Sequence, residues 1–431
     1  MKKKLLVLLG AGSSIGLGMP SAMELDKKVG DWACEWADEN RAVNYYCRLR
    51  KNRENYYDAA PPLSREHFKS NYEDFLGDMH ALMNGIIPNN CGDPVFQWLR
   101  RADVFKDVNF EKSQKDADGT CHFVKVSGQL QTIFKKLAAH MRQACQKLDA
   151  ESEAFKTYKR FFQKLDQEFD LGIYSLNYDT AAYSALPDFF TGFSFSSLSD
   201  GHFAPSEIHR HTAWRFIYHL HGSVHHHLEQ GNNHADSPEF GWRIVWKRDL
   251  ADVAVRSYVL LTTATDNKRM LQTTLVAGRW KLEQIQQDPF LTFYSTLPRH
   301  VHEADAILIC GYGFGDEHVN NALKTMLYAR RKRRPPVLVV DSDCPRRTLA
   351  RRIDEWPRRL AQTLRVGNLR FRDPQHRCEK NWLKLPETLK NGQFEFLYGD
   401  KNCPVAVFCG GMEGVCAEPT QTINFLKTGI S

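Results

Sequence analysis

Lys4 to Pro20 reads KLLVLLGAGSSIGLGMP, and the fold class follows from it. Leu5 to Leu9 is a short unbroken apolar run, the pattern of a strand buried on both faces. Gly10, Gly12, Gly16 and Gly18 follow at once. From Ser21 the period changes, and Leu25, Val29, Trp32, Ala33 and Trp36 fall on one helical face. Strand, glycine-rich turn and helix in that order present backbone N–H groups and a helix N-terminus to a phosphate. Without Cβ atoms the backbone can touch a pyrophosphate. Ile15 stands where the common dinucleotide fingerprint has a third glycine. A tight strand-to-helix turn with no ligand gives the same letters, so this stretch alone leaves both readings open.

At 431 residues the chain suits two or three structural units. Its 42% hydrophobic and 25% charged residues are those of an ordinary globular protein. No run approaches the ~18 apolar residues of a membrane span, so no membrane role is expected. The start, MKKKLLVLLG, mimics a signal peptide. Its apolar part falls short of the ~7 residues such a segment needs and runs into glycines, so it is read as the first strand. The 11 cysteines include no two closer than six residues, which excludes C-x-x-C metal or redox pairs. Free thiols in a chain of this length point to a reducing, cytoplasmic location. The net charge of +7 gathers in Arg330, Arg331, Lys332, Arg333 and Arg334 and in later arginine doublets. These read as cations on solvated faces, since no interleaved aromatics mark a base-stacking surface. Nucleic acid is expected only as an indirect partner.

The fold class expected is α/β: a Rossmann-like, doubly wound, mostly parallel sheet with a helical insertion. Residues 1–40 and 169–385 form the split sheet domain, 41–168 the insertion and 386–431 a C-terminal extension with short strands. Leu130, Ile133, Phe134, Leu137, Met141, Ala144 and Leu148 mark one long helix of the insertion, and Phe155, Tyr158, Phe161, Phe162, Leu165 and Phe169 the next. A further helix is expected over Glu73 to Asn84, and a loop over Phe105 to Thr120. The sheet resumes at Leu171 to Leu176, then a loop-rich stretch runs to Arg215. Strands are expected at Phe216 to Leu220, Ala306 to Cys310 and Val337 to Val340, with a hairpin or edge strands within 240–262. Asp316 opens a helix as its cap, with Val319, Leu323, Met326 and Leu327 on the apolar face.

The polar chemistry gathers where strands stop. Five apolar runs end at Gly10-Ala11-Gly12-Ser13, Asn177-Tyr178-Asp179, His221-Gly222, Gly311 to Gly315, and Asp341. In an open parallel sheet, ligands bind beyond the carboxyl ends of the strands. The two glycine loops can bracket a pyrophosphate, and Asp341 can accept hydrogen bonds from a ribose. Asn177 offers both a donor and an acceptor. His221 titrates near neutral pH and is the natural general base. Capping remains open for Asn177 and Asp179, and a core position for His221. His219 and His221 share a strand face, but no third ligand is spaced for a metal, and none is expected. His225, His226 and His227 read as a solvated loop.

GAGSS at Gly10 to Ser14, SLNYD at Ser175 to Asp179, LHGS at Leu220 to Ser223 and GYGFGDEHVN at Gly311 to Asn320 resemble, in that order, the sirtuin-like domains of bacterial antiphage defence. The resemblance spans about residues 5–36 and 171–341 and is specific through the combination of its motifs. It implies NAD as substrate, split at the nicotinamide–ribose bond. Asn177 would orient the ribose or the attacking water, and His221 would act as base. Gly10, Ala11, Gly12, Ser13, Gly311, Gly313 and Phe314 would hold the dinucleotide. Asp179 is carried over with them, with a structural role as its alternative. Deacetylase sirtuins carry a four-cysteine zinc module, which this cysteine pattern does not provide. That departure favours water as acceptor, hence an NAD glycohydrolase that depletes NAD. The resemblance also implies a homo-oligomer gated by a separate partner such as a HerA-type hexameric ATPase. A non-catalytic NAD or ADP-ribose sensor and an NAD-dependent deacylase are the alternatives.

Overall fold

Leu5, Val7 and Leu9 face one side of the first strand and Leu6 and Leu8 the other, and all five are buried. A computed structural model describes residues 2–59, 71–85, 98, 101–108, 122–195, 200–210, 213–230, 242–253, 258–262, 269–278, 281–329, 334–341, 355–365, 394–400, 403–408 and 410–429. Its strands are β1 (Lys3–Leu9), β2 (Phe169–Ser175), β3 (Phe193–Phe195), β4 (Gly201–Phe203), β5 (Arg215–His219), β6 (His226–Gln230), β7 (Trp242–Trp246), β8 (Tyr258–Thr262), β9 (Arg269–Thr273), β10 (Ala306–Cys310), β11 (Val337–Val340), β12 (Phe394–Asp400) and β13 (Cys403–Phe408). The main sheet runs β12-β13-β11-β10-β1-β2-β5. All its pairings are parallel except β12 with β13, so six parallel strands carry one antiparallel edge. This is the Rossmann-like α/β sheet expected.

Helices cover both faces. Leu6, Leu8, Ile307, Ile309, Val337 and Val339 pack with Phe293, Leu297 and Val301 of the helix Phe290–Glu303 and with Val319 and Leu323 of the helix Glu317–Ala329. Leu5, Val7, Leu171, Ile173 and Leu308 pack with Tyr158, Phe161, Phe162 and Leu165 of the helix Glu153–Glu168. The C-terminal helices Gly411–Ala417 and Pro419–Thr428 lie on that same face through Val415, Ile423 and Leu426. The side chains of Met326 and Leu327 lie outside the described residues.

The region expected as a helical insertion divides in its packing. The helices Tyr45–Ala59, Tyr72–Gly85 and His122–Gln146 share a separate core with Leu25, Val29 and Ala33 of the helix Ala22–Glu39. The helix Glu153–Glu168, inside the same expected range, instead joins the sheet. Ala22–Glu39 begins with a reciprocal cap: the Ser21 hydroxyl accepts from the Glu24 N–H, and the Glu24 carboxylate accepts from the Ser21 N–H. The stretch expected to be loop-rich up to Arg215 holds the short helices Ala181–Ala185 and Pro205–Arg210 and two strands. Those strands, β3 and β4, join β7 and β6 in a small antiparallel sheet, order β3-β4-β7-β6. Elements of three to six residues leave too short a period to read. Most of the expected loop over 105–120, and Arg330 to Arg333, lie outside the described residues. No helix among the described residues is long and apolar enough to cross a membrane.

Candidate active site

From β1 the chain adds β2 and β5 on one side, then β10, β11 and β13 on the other. The order therefore reverses between β1 and β10, the position where an open α/β sheet leaves a crevice at its carboxyl end. Both glycine loops sit there. The Gly10 N–H donates to the Cys310 carbonyl at 2.8 Å, and the Gly12 N–H to the Gly311 carbonyl at 3.1 Å. Gly311 has φ +60°, and a Cβ on it would lie 2.4 Å from the Gly12 backbone. The glycines at 10, 12 and 311 thus let two turns lie against each other. Gly313 differs, because a Cβ there would meet nothing within 4 Å. Phe314 takes a left-handed backbone, φ 52°, with its ring buried against Tyr312 and Trp356. Asn320 donates its side-chain amide to the Phe314 carbonyl at 3.0 Å and so holds this costly conformation.

Asn177 follows β2 by two residues and its amide is inserted into the first glycine loop. Its Nδ2 donates to Ser13 Oγ at 3.1 Å and Ser14 Oγ at 3.3 Å. Ser13 Oγ donates on to the Gly10 carbonyl at 2.8 Å, and Ser14 Oγ to Asp179 Oδ2 at 2.6 Å. The other Asp179 oxygen accepts the Ala181 N–H at 3.0 Å. Burial pushes the Asp179 carboxyl upward, and bonds from Ser14, Ala181 and Asn177 oppose it. Asp179 therefore braces Asn177 and the loop, and accepts the first N–H of the helix that follows. The Asn177 carbonyl meets His219 Nδ1 at 3.2 Å, which ties β2 to β5 beyond their last paired residues. Asp341 follows β11, its N–H donating to the Phe408 carbonyl and its own carbonyl accepting from Gly411.

His221 Nε2 meets Asp316 Oδ2 at 2.9 Å, and both residues are buried. β5 and β10 are three strand spacings apart in the sheet, roughly 14 Å. The bond therefore joins the loops that follow two strands on either side of β1 and β2, whose own ends carry the Gly10 loop and Asn177. The other carboxylate oxygen, Oδ1, accepts the N–H groups of His318 and Val319, so Asp316 caps its helix as expected. Its partnership with His221 is not visible from capping chemistry. Burial works to raise the Asp316 pKa. The hydrogen bond and charge of His221, the charge of Lys281 and the Val319 N–H overcome that and hold the carboxyl well below the usual carboxylate range. An ionised Asp316 can only accept, so in neutral His221 the proton sits on Nε2 and Nδ1 keeps its lone pair. Nδ1 makes no hydrogen bond among the described residues and is not sealed from solvent.

The triple histidine is not a solvated loop, which corrects the expectation. His225 is 3% and His226 2% exposed, because residues 226–230 form β6 inside the small sheet and the rings close on Trp246. His225 stacks on that indole at 4.8 Å, while His219 and His226 stand 5.7 and 5.5 Å from it. Burial lowers the pKa of all three, to about 4 for His219 and His225. Residues that sequence reasoning missed are Ser14, Asp316 in its pairing role, Lys281 and Glu73. Lys281 Nζ lies 3.9 Å from Asp316 and 2.9 Å from Glu73. Ser14, inside the GAGSS motif, and Asp316, beside a glycine-rich strand end, carried a signal; Lys281 and Glu73 carried none.

A family model described as a SIR2-like domain matches residues 172–360. That span includes Asn177, His221, Lys281, Asp316 and Asp341; the Gly10 loop precedes it. Among solved structures, a triple mutant of a Sir2 homologue with 2′-O-acetyl ADP-ribose is 11% identical, covering 100% of this chain and 94% of its own, at TM-score 0.35. A Sir2 homologue–NAD complex is 12% identical, covering 79% of each chain, at TM-score 0.32. No curated protein matches the chain.

Proposed function

We propose, from the SIR2-like domain matched over residues 172–360, that the strand-end site hydrolyses NAD to nicotinamide and ADP-ribose. The observation that carries this reading is the bond from His221, after β5, to Asp316, after β10, the two strands that flank β1 and β2, whose ends carry the Gly10 loop and Asn177. NAD would lie along the switch point, its pyrophosphate toward the glycine turns and Gly313 and its nicotinamide ribose toward Asn177. Asp341, at the end of β11, lies on the side where an adenosine ribose would rest.

The chemistry needs a water placed behind the anomeric carbon and a group to take its proton as the glycosidic bond breaks. The C–N bond electrons leave with nicotinamide, and the water oxygen bonds to C1 of the ribose. His221 Nδ1 supplies the lone pair, and the Asp316 carboxylate steadies the imidazolium that forms. Asn177, fixed by Ser13 and Ser14, holds the water or ribose in register. No bound metal is required for these steps.

Unchecked hydrolysis would drain a cell of NAD. The reading therefore extends to a cytoplasmic antiphage effector, held as a homo-oligomer and gated by a HerA-type ATPase. Chromatography of NAD incubated with the protein, alone and with a HerA-type ATPase, tests this. Nicotinamide and ADP-ribose should appear in equal amounts, faster in the assembled complex. Binding of NAD without nicotinamide release would instead identify a sensor. Release that requires an acylated peptide would identify a deacylase.

A further inference from the structure

Asp316 is shared. Its Oδ2 receives His221 and also faces Lys281 Nζ at 3.9 Å, and Lys281 pairs more closely with Glu73 at 2.9 Å. Lys281 opens the short helix Lys281–Gln284, whereas Glu73 lies in the first turn of Tyr72–Gly85, in the separate helical core. The Lys281 side chain is 17% exposed, so its charge acts on Asp316 through little solvent. The residue before Glu73 reaches the sheet by packing. Tyr72 is buried in one apolar core with Tyr178, the neighbour of Asn177, and the Tyr178 hydroxyl donates to the Val276 carbonyl at 2.9 Å. One helical turn outside the sheet therefore reaches the supports of both proposed site residues.

We propose that the helical region completes the strand-end site, Glu73 fixing Lys281 and Lys281 fixing the carboxylate that orients His221. The inference rests on the hydrolase reading and assigns Lys281 and Glu73 as positioning residues for it. A shift of Tyr72–Gly85 against the sheet would release Lys281 from Glu73 and loosen Asp316, so this turn is where a partner can switch the site.

Kinetics of nicotinamide release in the full-length protein test it. Lys281→Met should lower kcat roughly 10- to 100-fold while KM for NAD stays within about twofold. Lys281→Arg should recover most of the rate, and Glu73→Gln should give a smaller loss of the same kind. The exchanged pair Glu73→Lys with Lys281→Glu restores a salt bridge but sets a carboxylate beside Asp316. It should regain thermal stability without regaining kcat. Wild-type kcat in Lys281→Met, or full activity in the exchanged pair, would overturn the inference. A second readout does not depend on turnover. In ¹⁵N-histidine-labelled protein, the His221 ring signals, assigned by their loss in His221→Gln, should move in Lys281→Met. They should stay in place in Glu54→Gln, which breaks only an exposed pair with Arg50. If the wild type releases no nicotinamide, the hydrolase reading fails and these signals decide alone: movement upholds the coupling, and unmoved signals refute it.

Discussion

At the scale of single residues, one contact changes what His221 can do. A lone histidine at a strand end is compatible with a core position, but a neutral one with an ionised aspartate on Nε2 keeps a lone pair on Nδ1. Asp316→Asn keeps an oxygen to cap the helix and removes the charge. Turnover should fall at least tenfold and the melting temperature should drop with it, because the buried pairs with His221 and Lys281 lose their charge, read by steady-state rates beside thermal unfolding. The glycines divide in the same way. Gly311→Ala puts a Cβ 2.4 Å from the Gly12 backbone at φ +60°, and should cost about 3 kcal/mol or more in chemical unfolding. Gly313→Ala meets open space and should fold normally, yet weaken ADP-ribose binding in calorimetry if that turn faces the ligand. The residues that sequence placed at strand ends are there, since a strand's end is a local property. Glu73 and Lys281 were invisible because 208 positions separate them and each is an ordinary surface-type charge by composition.

At the scale of elements, the seam where His219 of β5 and His225, just before β6, close on Trp246 of β7 is an acid-sensitive part of the fold. His219 and His225 are buried with pKa values lowered to about 4, whereas an unfolded histidine titrates near 6.5. Below about pH 6.5 the unfolded chain binds more protons than the folded one, so stability falls as pH drops toward 4. The loss approaches about 3 kcal/mol for each of the two. Asp316 has the opposite sign of charge and a lowered pKa, so its contribution persists through that window and fades only below the ordinary carboxylate range. Urea unfolding at pH 7.5, 6.0 and 5.0 should show the decline, and equal stability at all three would contradict it. Long periodic helices such as Glu153–Glu168 were legible because their apolar face repeats over several turns. The burial of His225 and His226 was not, because β6 packs its face only once β7 arrives from 242–246.

At the scale of the whole molecule, the strand order brings four distant segments to one edge. β1 and β10 are separated by nearly three hundred residues yet pair directly, so Gly10 and Gly311 meet where the winding reverses. The sheet accounts for where a dinucleotide would lie, and the helical core accounts for how that position could be controlled from outside. The central claim is that Asn177 and His221 work as one site on the nicotinamide–ribose bond. Nicotinamide release from NAD, measured for the assembled wild type, Asn177→Ala and His221→Ala, each shown to be folded by circular dichroism, tests it most directly. The account predicts turnover by the wild type and a roughly 10²- to 10⁴-fold loss in each variant; undiminished release in both would contradict it.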